Sequence, residues 1–414
     1  MSLLADLLSS VFDRSTKASA ATKWDNRPIE ELVADLIGNR GEIRGMTLAR
    51  QILDRYAAME TDQKRDFFLH LATGLDINPE TVREALNAYE AEPSKATYRS
   101  FMTAAEPARQ ELVRRLNQVP GATGSLVKMR KDLLGMVKED ASLAALDLDF
   151  RHLFLSWFNR GFLVLRPINW ESPAYILEKI IAYEAVHAID SWGDLRRRMQ
   201  PSDRRCFAFF HPAMPDEPLI FVEVALTKGV PGSIQDVLAD GRNVLDAELA
   251  DTAVFYSISN CQAGLAGISF GNSLIKQVVD DLSRELPGLK TFVTLSPIPG
   301  LTKWLAAEGL DEGATPERLP GLAARYLINA KRPNGAPLDP VARFHLGNGA
   351  KVHAVHANAD TSANGQAQSL GAMVNYLYDL SAIAQNHEHF AASNKVAAST
   401  EVKTLARAAE KSDT

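Results

Sequence analysis

Three features of the chain have residue types and spacing suited to chemistry. These are Ser296, His345 and a glycine-rich stretch ahead of both. Ser296 closes the apolar run LKTFVTL and precedes Pro297. Serine followed by proline is a routine helix start, with Ser as N-cap and Pro at the first position. The carboxyl end of an α/β strand is also where ligands bind, so one position can serve both roles. His345 stands just before Gly347-Asn348-Gly349, which reads as a tight turn. A lone histidine is more often structural; as a catalyst it would act as general acid or base. The glycine stretch is NCQAGLAGISFGN, with Gly264, Gly267 and Gly271. Backbone N–H groups in such a turn, with the positive end of a helix behind them, suit a phosphate or pyrophosphate. No Gly-Lys-Ser/Thr follows, and the spacing is not GxGxxG. The plain alternative is a β–α turn that needs glycine for positive φ.

The other candidates carry less. His353 and His356 lie three apart on an expected strand and point to opposite faces, so no metal site is expected. His387 and His389 lie two apart in a helical region, share no face and read as solvated. There is no GxSxG, no HExxH and no glycosidase-like carboxylate pair. Cys206 and Cys261 sit in or beside apolar strand-like runs and read as buried, reduced thiols.

The elements that must position these groups follow from periodicity. TAVFYSIS, from Thr252, reads as a buried strand. After the glycine stretch, Leu274, Ile275, Val278, Val279 and Leu282 mark one face of a helix that Pro287 and Gly288 stop. LKTFVTL is the next strand, expected parallel to the first, and SPIPGLTKWLAAEG reads as another helix start. Residues 1 to about 157 read as helical throughout, with Asn78-Pro79 as one cap. Near Trp157 the composition changes. PAYILEKIIAYEAVHAI reads as an apolar helix capped by Ser172. RRCFAFFH and LIFVEVAL read as a hairpin around the Pro-rich HPAMPDEP. RPNGAPLDP reads as a loop, a strand follows Gly349, and residues 366 to 411 read as helical. This order predicts a helical domain at 1–157, for packing or self-association, and a mixed α/β domain at 158–414.

Composition bounds the function. At 414 residues, two domains are the natural expectation. A net charge of −6 argues against wholesale nucleic-acid binding. No apolar run approaches the roughly 20 residues of a membrane span. MSLLADLLSSVFDR is amphipathic, carries Asp6 and lacks a basic n-region, and STKASAATK (15–23) is expected to be loose. The chain ends AEKSDT, which is not a peroxisomal SKL-type address. A cytoplasmic location is expected.

WFNRGFLVL, LEKIIAYEAVHAI, RRCFAFFHPAMPDEPLIFVEVAL, FYSIS, TLSPIPGLTKWL and FHLGNGA resemble the malonyl-CoA decarboxylase family, from about Trp157 to Tyr378. The resemblance implies a helical N-terminal domain, a catalytic domain of the GNAT acetyltransferase type, and oligomers, often tetramers. It implies Ser296 and His345 as the catalytic pair. It also implies Ala266, Gly267, Ile268, Ser269, Phe270, Gly271 and Asn272 as the loop for the CoA phosphates. The family's loop can carry an acidic residue where this chain has Ser269.

The implied substrate, malonyl-CoA, carries a carboxylate β to a thioester carbonyl. The thioester is itself the electron sink for loss of CO₂, so no metal or organic cofactor is expected. Ser296 would hold the carboxylate, and His345, titrating near neutral pH, would protonate carbon. Strand-end N–H groups would stabilise the enolate oxygen. Two other readings remain: a CoA-dependent acyltransferase of the same fold, and a silent sensor that binds malonyl-CoA intact.

Overall fold

In a computed structural model the chain is described at residues 25–38, 41–268 and 274–412. The expectations for MSLLADLLSSVFDR and for 15–23 lie outside those residues. The described chain forms two compact units. One takes the chain up to Phe162, together with Pro212–Pro215 and the segment that begins at Gln262. The other takes Leu163–His211, Asp216–Cys261 and the remainder.

The first unit is helical, as its periodicity predicts. Its core is a set of aromatic and aliphatic side chains: Tyr56 meets Phe67 and Phe68, and Phe154 meets Phe150 and Phe158. Asn78 caps the Pro79–Ala91 helix, accepting from the N–H groups of Glu80 and Thr81. Gly121, at φ +79°, ends the link after Ala108–Leu116 and starts the Ala122–Val137 helix.

The second unit is built on one mixed sheet of eight strands: β1 (Val164–Ile168), β2 (Arg204–His211), β3 (Met214–Thr227), β4 (Thr252–Asn260), β5 (Thr291–Thr294), β6 (Ser296–Pro297), β7 (Lys351–His356) and β8 (Met373–Leu377). The order is β1-β2-β3-β4-β5-β8-β6, with β7 also on β8. β1 pairs with β2 and β3 with β4, both antiparallel, and β4 and β5 pair in parallel, as expected. The Leu274–Glu285 helix between them buries Ile275, Val278, Val279 and Leu282. Each such side chain withdrawn from water contributes about 1.5–3 kcal/mol. Cys206 and Cys261 are buried free thiols.

Several local expectations are corrected. The β2–β3 turn is confined to Pro212-Ala213, because Met214 to Pro218 already belong to β3. The apolar helix Ala174–Tyr183 starts after Pro173, not Ser172. It stops at Glu184, whose carboxylate accepts from the N–H groups of Val186 and His187 at 2.7 and 2.9 Å. The end of the chain is not wholly helical, because β8 lies inside it. RPNGAPLDP leads into the Pro340–Gly347 helix, so FHLG is helical.

Candidate active site

Ser296 is not a helix cap. The next helix is Leu301–Glu308, with Gly300 at its N-cap. Ser296 instead continues the line of β5. Val293 opposes Leu377 and Ser296 opposes Val374, so β5 and β6 run along β8 in one register. Parallel pairing with β4 covers Thr291–Thr294. Its last contact is the Leu295 N–H to the Phe255 carbonyl, at 3.0 Å. Ser296 therefore lies just past the carboxyl end of that parallel pair. Side chains two apart on a strand share a face: Val293 and Leu295 enter the apolar core, and Thr294 and Ser296 face the other way.

His345 comes from the last turn of the Pro340–Gly347 helix. Asp339 caps that helix, its Oδ1 accepting from Ala342 N–H at 2.8 Å, and Pro340 occupies the first turn. At the other end, Asn348 Nδ2 donates to the Phe344 carbonyl and His387 Nδ1 to the Gly347 carbonyl, both at 2.7 Å. These bonds satisfy carbonyls that a helix end leaves unpaired. They also correct the solvated reading of His387, which is half-buried; His389 is exposed.

The two residues meet. His345 Nε2 is 3.3 Å from Ser296 Oγ, and both side chains are buried. Ser296 Oγ donates to Thr294 Oγ1 at 2.8 Å. His345 Nδ1 is 2.8 Å from Tyr378 Oη. The imidazole stacks on Tyr376, with centroids 4.5 Å apart and planes 23° apart. Tyr376 and Tyr378 reach the same ring because they alternate along one face of β8 and its extension.

Burial pushes the His345 imidazole down to about 3, because a dry site penalises the charged ring. The expectation that it titrates near neutral pH is corrected: the unliganded ring is neutral. The depressed value has a consequence for stability. The neutral ring's contribution is complete above about pH 6.5 and is lost as pH falls toward 3. The same burial lifts the Tyr378 hydroxyl well above its ordinary range.

Of the loop residues, Ala266, Gly267 and Ile268 are described; Ser269, Phe270, Gly271 and Asn272 lie outside the described residues. Ala266 and Gly267 are exposed and Ile268 is buried. The segment is fixed within the helical unit by Arg130. Its Nη1 donates to the carbonyls of Gly264 (2.8 Å) and Ala266 (2.9 Å), while its Nε pairs with Asp147 at 2.8 Å. Gly264 has no room for a Cβ, which would strike the Val127 carbonyl. Gly267 has space around it but sits at φ +75°.

Sequence reading missed Thr294, Tyr376, Tyr378 and Arg130. Thr294 was findable as the residue two before Ser296 on one strand, but the others had no local signal. His356 donates from Nε2 to Asn375 Oδ1, and His353 sits at a register shift in β7. Among the described residues, no three His, Cys, Asp or Glu side chains group as metal ligands.

A helical region followed by a mixed sheet, with a buried Ser–His pair at the end of a parallel strand, defines an α/β enzyme. Family models narrow the class. The malonyl-CoA decarboxylase C-terminal domain matches residues 161–317 and 312–414, and the N-terminal domain matches 75–158. A solved malonyl-CoA decarboxylase from Rhodopseudomonas palustris is 48% identical, with a TM-score of 0.87, over 91% of this chain and 98% of that one. Another from Agrobacterium vitis is 49% identical, with a TM-score of 0.87, over 91% and 99%. The mitochondrial malonyl-CoA decarboxylase of Anser anser anser is 36% identical over 72% of this chain and 69% of its own. The chain belongs to the malonyl-CoA decarboxylase family. It is a carboxy-lyase that converts malonyl-CoA to acetyl-CoA and CO₂.

Proposed function

We propose that Ser296 and His345 perform this decarboxylation without metal or organic cofactor. The observation that carries the reading is their 3.3 Å approach in a buried site beyond a parallel strand end. Ser296 and His345 hydrogen-bond the substrate carboxylate and turn it out of the thioester plane. The C–C bond breaks, its electron pair enters the thioester carbonyl, and CO₂ leaves. The reaction consumes one proton. A carboxylate against Nε2 favours the charged ring, so substrate draws onto His345 the proton it needs. Nε2 then delivers a proton to carbon and the ring returns to neutral. The segment Ala266 to Asn272 holds the CoA phosphates. The GNAT type of the sheet domain rests on the antiparallel meander followed by a parallel strand.

Malonyl-CoA alone, supplied to chelator-treated enzyme, should yield acetyl-CoA and CO₂ in equal amounts. Product only after an acceptor is added would make the chain an acyltransferase. Intact malonyl-CoA would make it a sensor, and a requirement for added divalent ion would refute the cofactor-free mechanism.

The domain at 1–157 serves self-association, with a tetramer as the expected form. Support comes from the pair Pro79–Ala91 and Lys95–Ala105. The first buries only Ala85 and the second buries nothing. Tyr98 and Met102 are half exposed, Leu86 is exposed as well, and Tyr98 meets Tyr89 of the first helix. Glu80, Glu84 and Glu90 mark the first helix and Lys95 and Arg99 the second. A two-fold copy would set acidic helix against basic helix. Tyr98→Glu with Met102→Glu should lower the mass measured by light scattering while turnover per chain persists. An unchanged mass would place the interface elsewhere. No helix among the described residues is long and apolar enough to cross a membrane; a cytoplasmic location is part of this proposal.

A further inference from the structure

The partners of His345 fix more than its position. Ser296 Oγ spends its proton on Thr294 Oγ1, so toward the imidazole it offers a lone pair. The 3.3 Å contact is then a bond from Nε2–H to Ser296 Oγ. A neutral imidazole carries one proton, so Nδ1 is bare and accepts from the Tyr378 hydroxyl at 2.8 Å. No carboxylate bonds to the ring among the described contacts, and Tyr376 blocks rotation by stacking on it.

We infer that Tyr378 is a positioning residue that keeps the His345 proton on Nε2, facing Ser296 and the substrate. The inference rests on the reading of Ser296 and His345 as the reacting pair. A hydroxyl suits the task because it both donates and accepts. With the ring neutral, Tyr378 O–H donates to Nδ1. When a substrate carboxylate draws in a second proton, that proton settles on Nδ1, and Tyr378 Oη accepts from it. In both states Nε2 keeps its proton on the side of Ser296 and the substrate. Transfer of that proton breaks N–H, forms C–H and leaves a neutral ring whose proton is on Nδ1, with Tyr378 still accepting. Proton exchange with water, onto Nε2 and off Nδ1, restores the resting ring and Tyr378 donates again. A carboxylate in place of Tyr378 would instead hold the ring charged at rest. The opposite arrangement, Ser296 O–H to Nε2 with Nδ1–H to Tyr378, is that of an activated serine nucleophile.

The test is nitrogen NMR of ¹⁵N-histidine-labelled full-length enzyme, with His345 assigned by its loss in His345→Gln. The resting ring should show a protonated Nε2 and an unprotonated Nδ1, unchanged between pH 5.5 and 8. Protonation on Nδ1 instead would overturn the inference, whatever any variant does. In Tyr378→Phe the tautomer should become mixed. Turnover should fall roughly 10- to 10²-fold, the scale of a misaligned reacting group, with KM little changed. Tyr378→Phe with parent turnover and a parent tautomer also overturns it. If His345→Ala and Ser296→Ala keep parent turnover, the pair itself is wrong, and that result is read independently of the resting tautomer.

Discussion

His345→Ala should lower turnover of malonyl-CoA by roughly 10²-fold or more, the scale of a lost general acid. The ring lies buried between Tyr376 and Tyr378, with Ser296 at Nε2, so no other described side chain takes its place. His345→Asn should not rescue the loss, since an amide cannot supply the proton. Ser296→Ala should fall steeply as well, because it removes the group that Nε2 faces. If both act on one step, the double variant loses far less than the product of the single losses. Fully multiplicative losses would mean that the two residues act on separate steps.

Gly264→Ala should be the most damaging single-methyl change in the loop. Its Cβ would meet backbone, the Val127 carbonyl, and backbone of a packed helix cannot step aside. Overpacking of this kind costs about 1–3 kcal/mol, occasionally more. Relief requires the loop to lift, which pulls the Gly264 and Ala266 carbonyls from Arg130. The melting temperature should therefore drop, and calorimetric affinity for a CoA ester should drop with it. Gly267→Ala should behave differently. Its Cβ meets only the Arg151 side chain, at an ordinary contact distance of 3.9 Å, and its cost is the positive φ, about 1–2 kcal/mol. Gly267→Val should weaken CoA-ester binding in a protein that still folds, by crowding the phosphates. Unchanged affinity in a folded Gly267→Val enzyme would remove the loop from the CoA site. Parent-like melting of Gly264→Ala would contradict the packing described for it.

These contrasts show what was legible in the sequence. The unit from Thr252 to Thr294 was, because it is local: an apolar strand, a stripe on one helix face, and a second apolar run. The Asn78 cap was legible for the same reason. The Pro340–Gly347 helix could have been read from Asp339-Pro340, a cap followed by proline, but its surroundings looked like loop. β8 was not legible: MVNYL is five residues long and lies between helix-forming stretches, and its pairing with β5, β6 and β7 is wholly non-local. The meeting of Ser296 and His345 is non-local too, since 49 positions separate them. Spacing could not bring them together, and only the family resemblance did. The neutral state of His345 depends on burial by Tyr376 and Tyr378, so it could not be read from the residue type. Ser296 looked like a cap because Ser-Pro is one locally; β8, by pairing with it, makes it strand.

That last point sharpens the central claim. With no helix to cap, Ser296 has no structural duty beyond its bonds to Thr294 and His345. The most direct measurement is kcat for malonyl-CoA beside melting temperature, for the parent, Ser296→Ala and Ser296→Asp. The account predicts that Ser296→Ala melts within a few degrees of the parent and turns over roughly 10²-fold more slowly or worse. It predicts that Ser296→Asp is nearly inactive, because a second carboxylate repels the substrate's own. A Ser296→Ala enzyme that decarboxylates at the parent rate would contradict it.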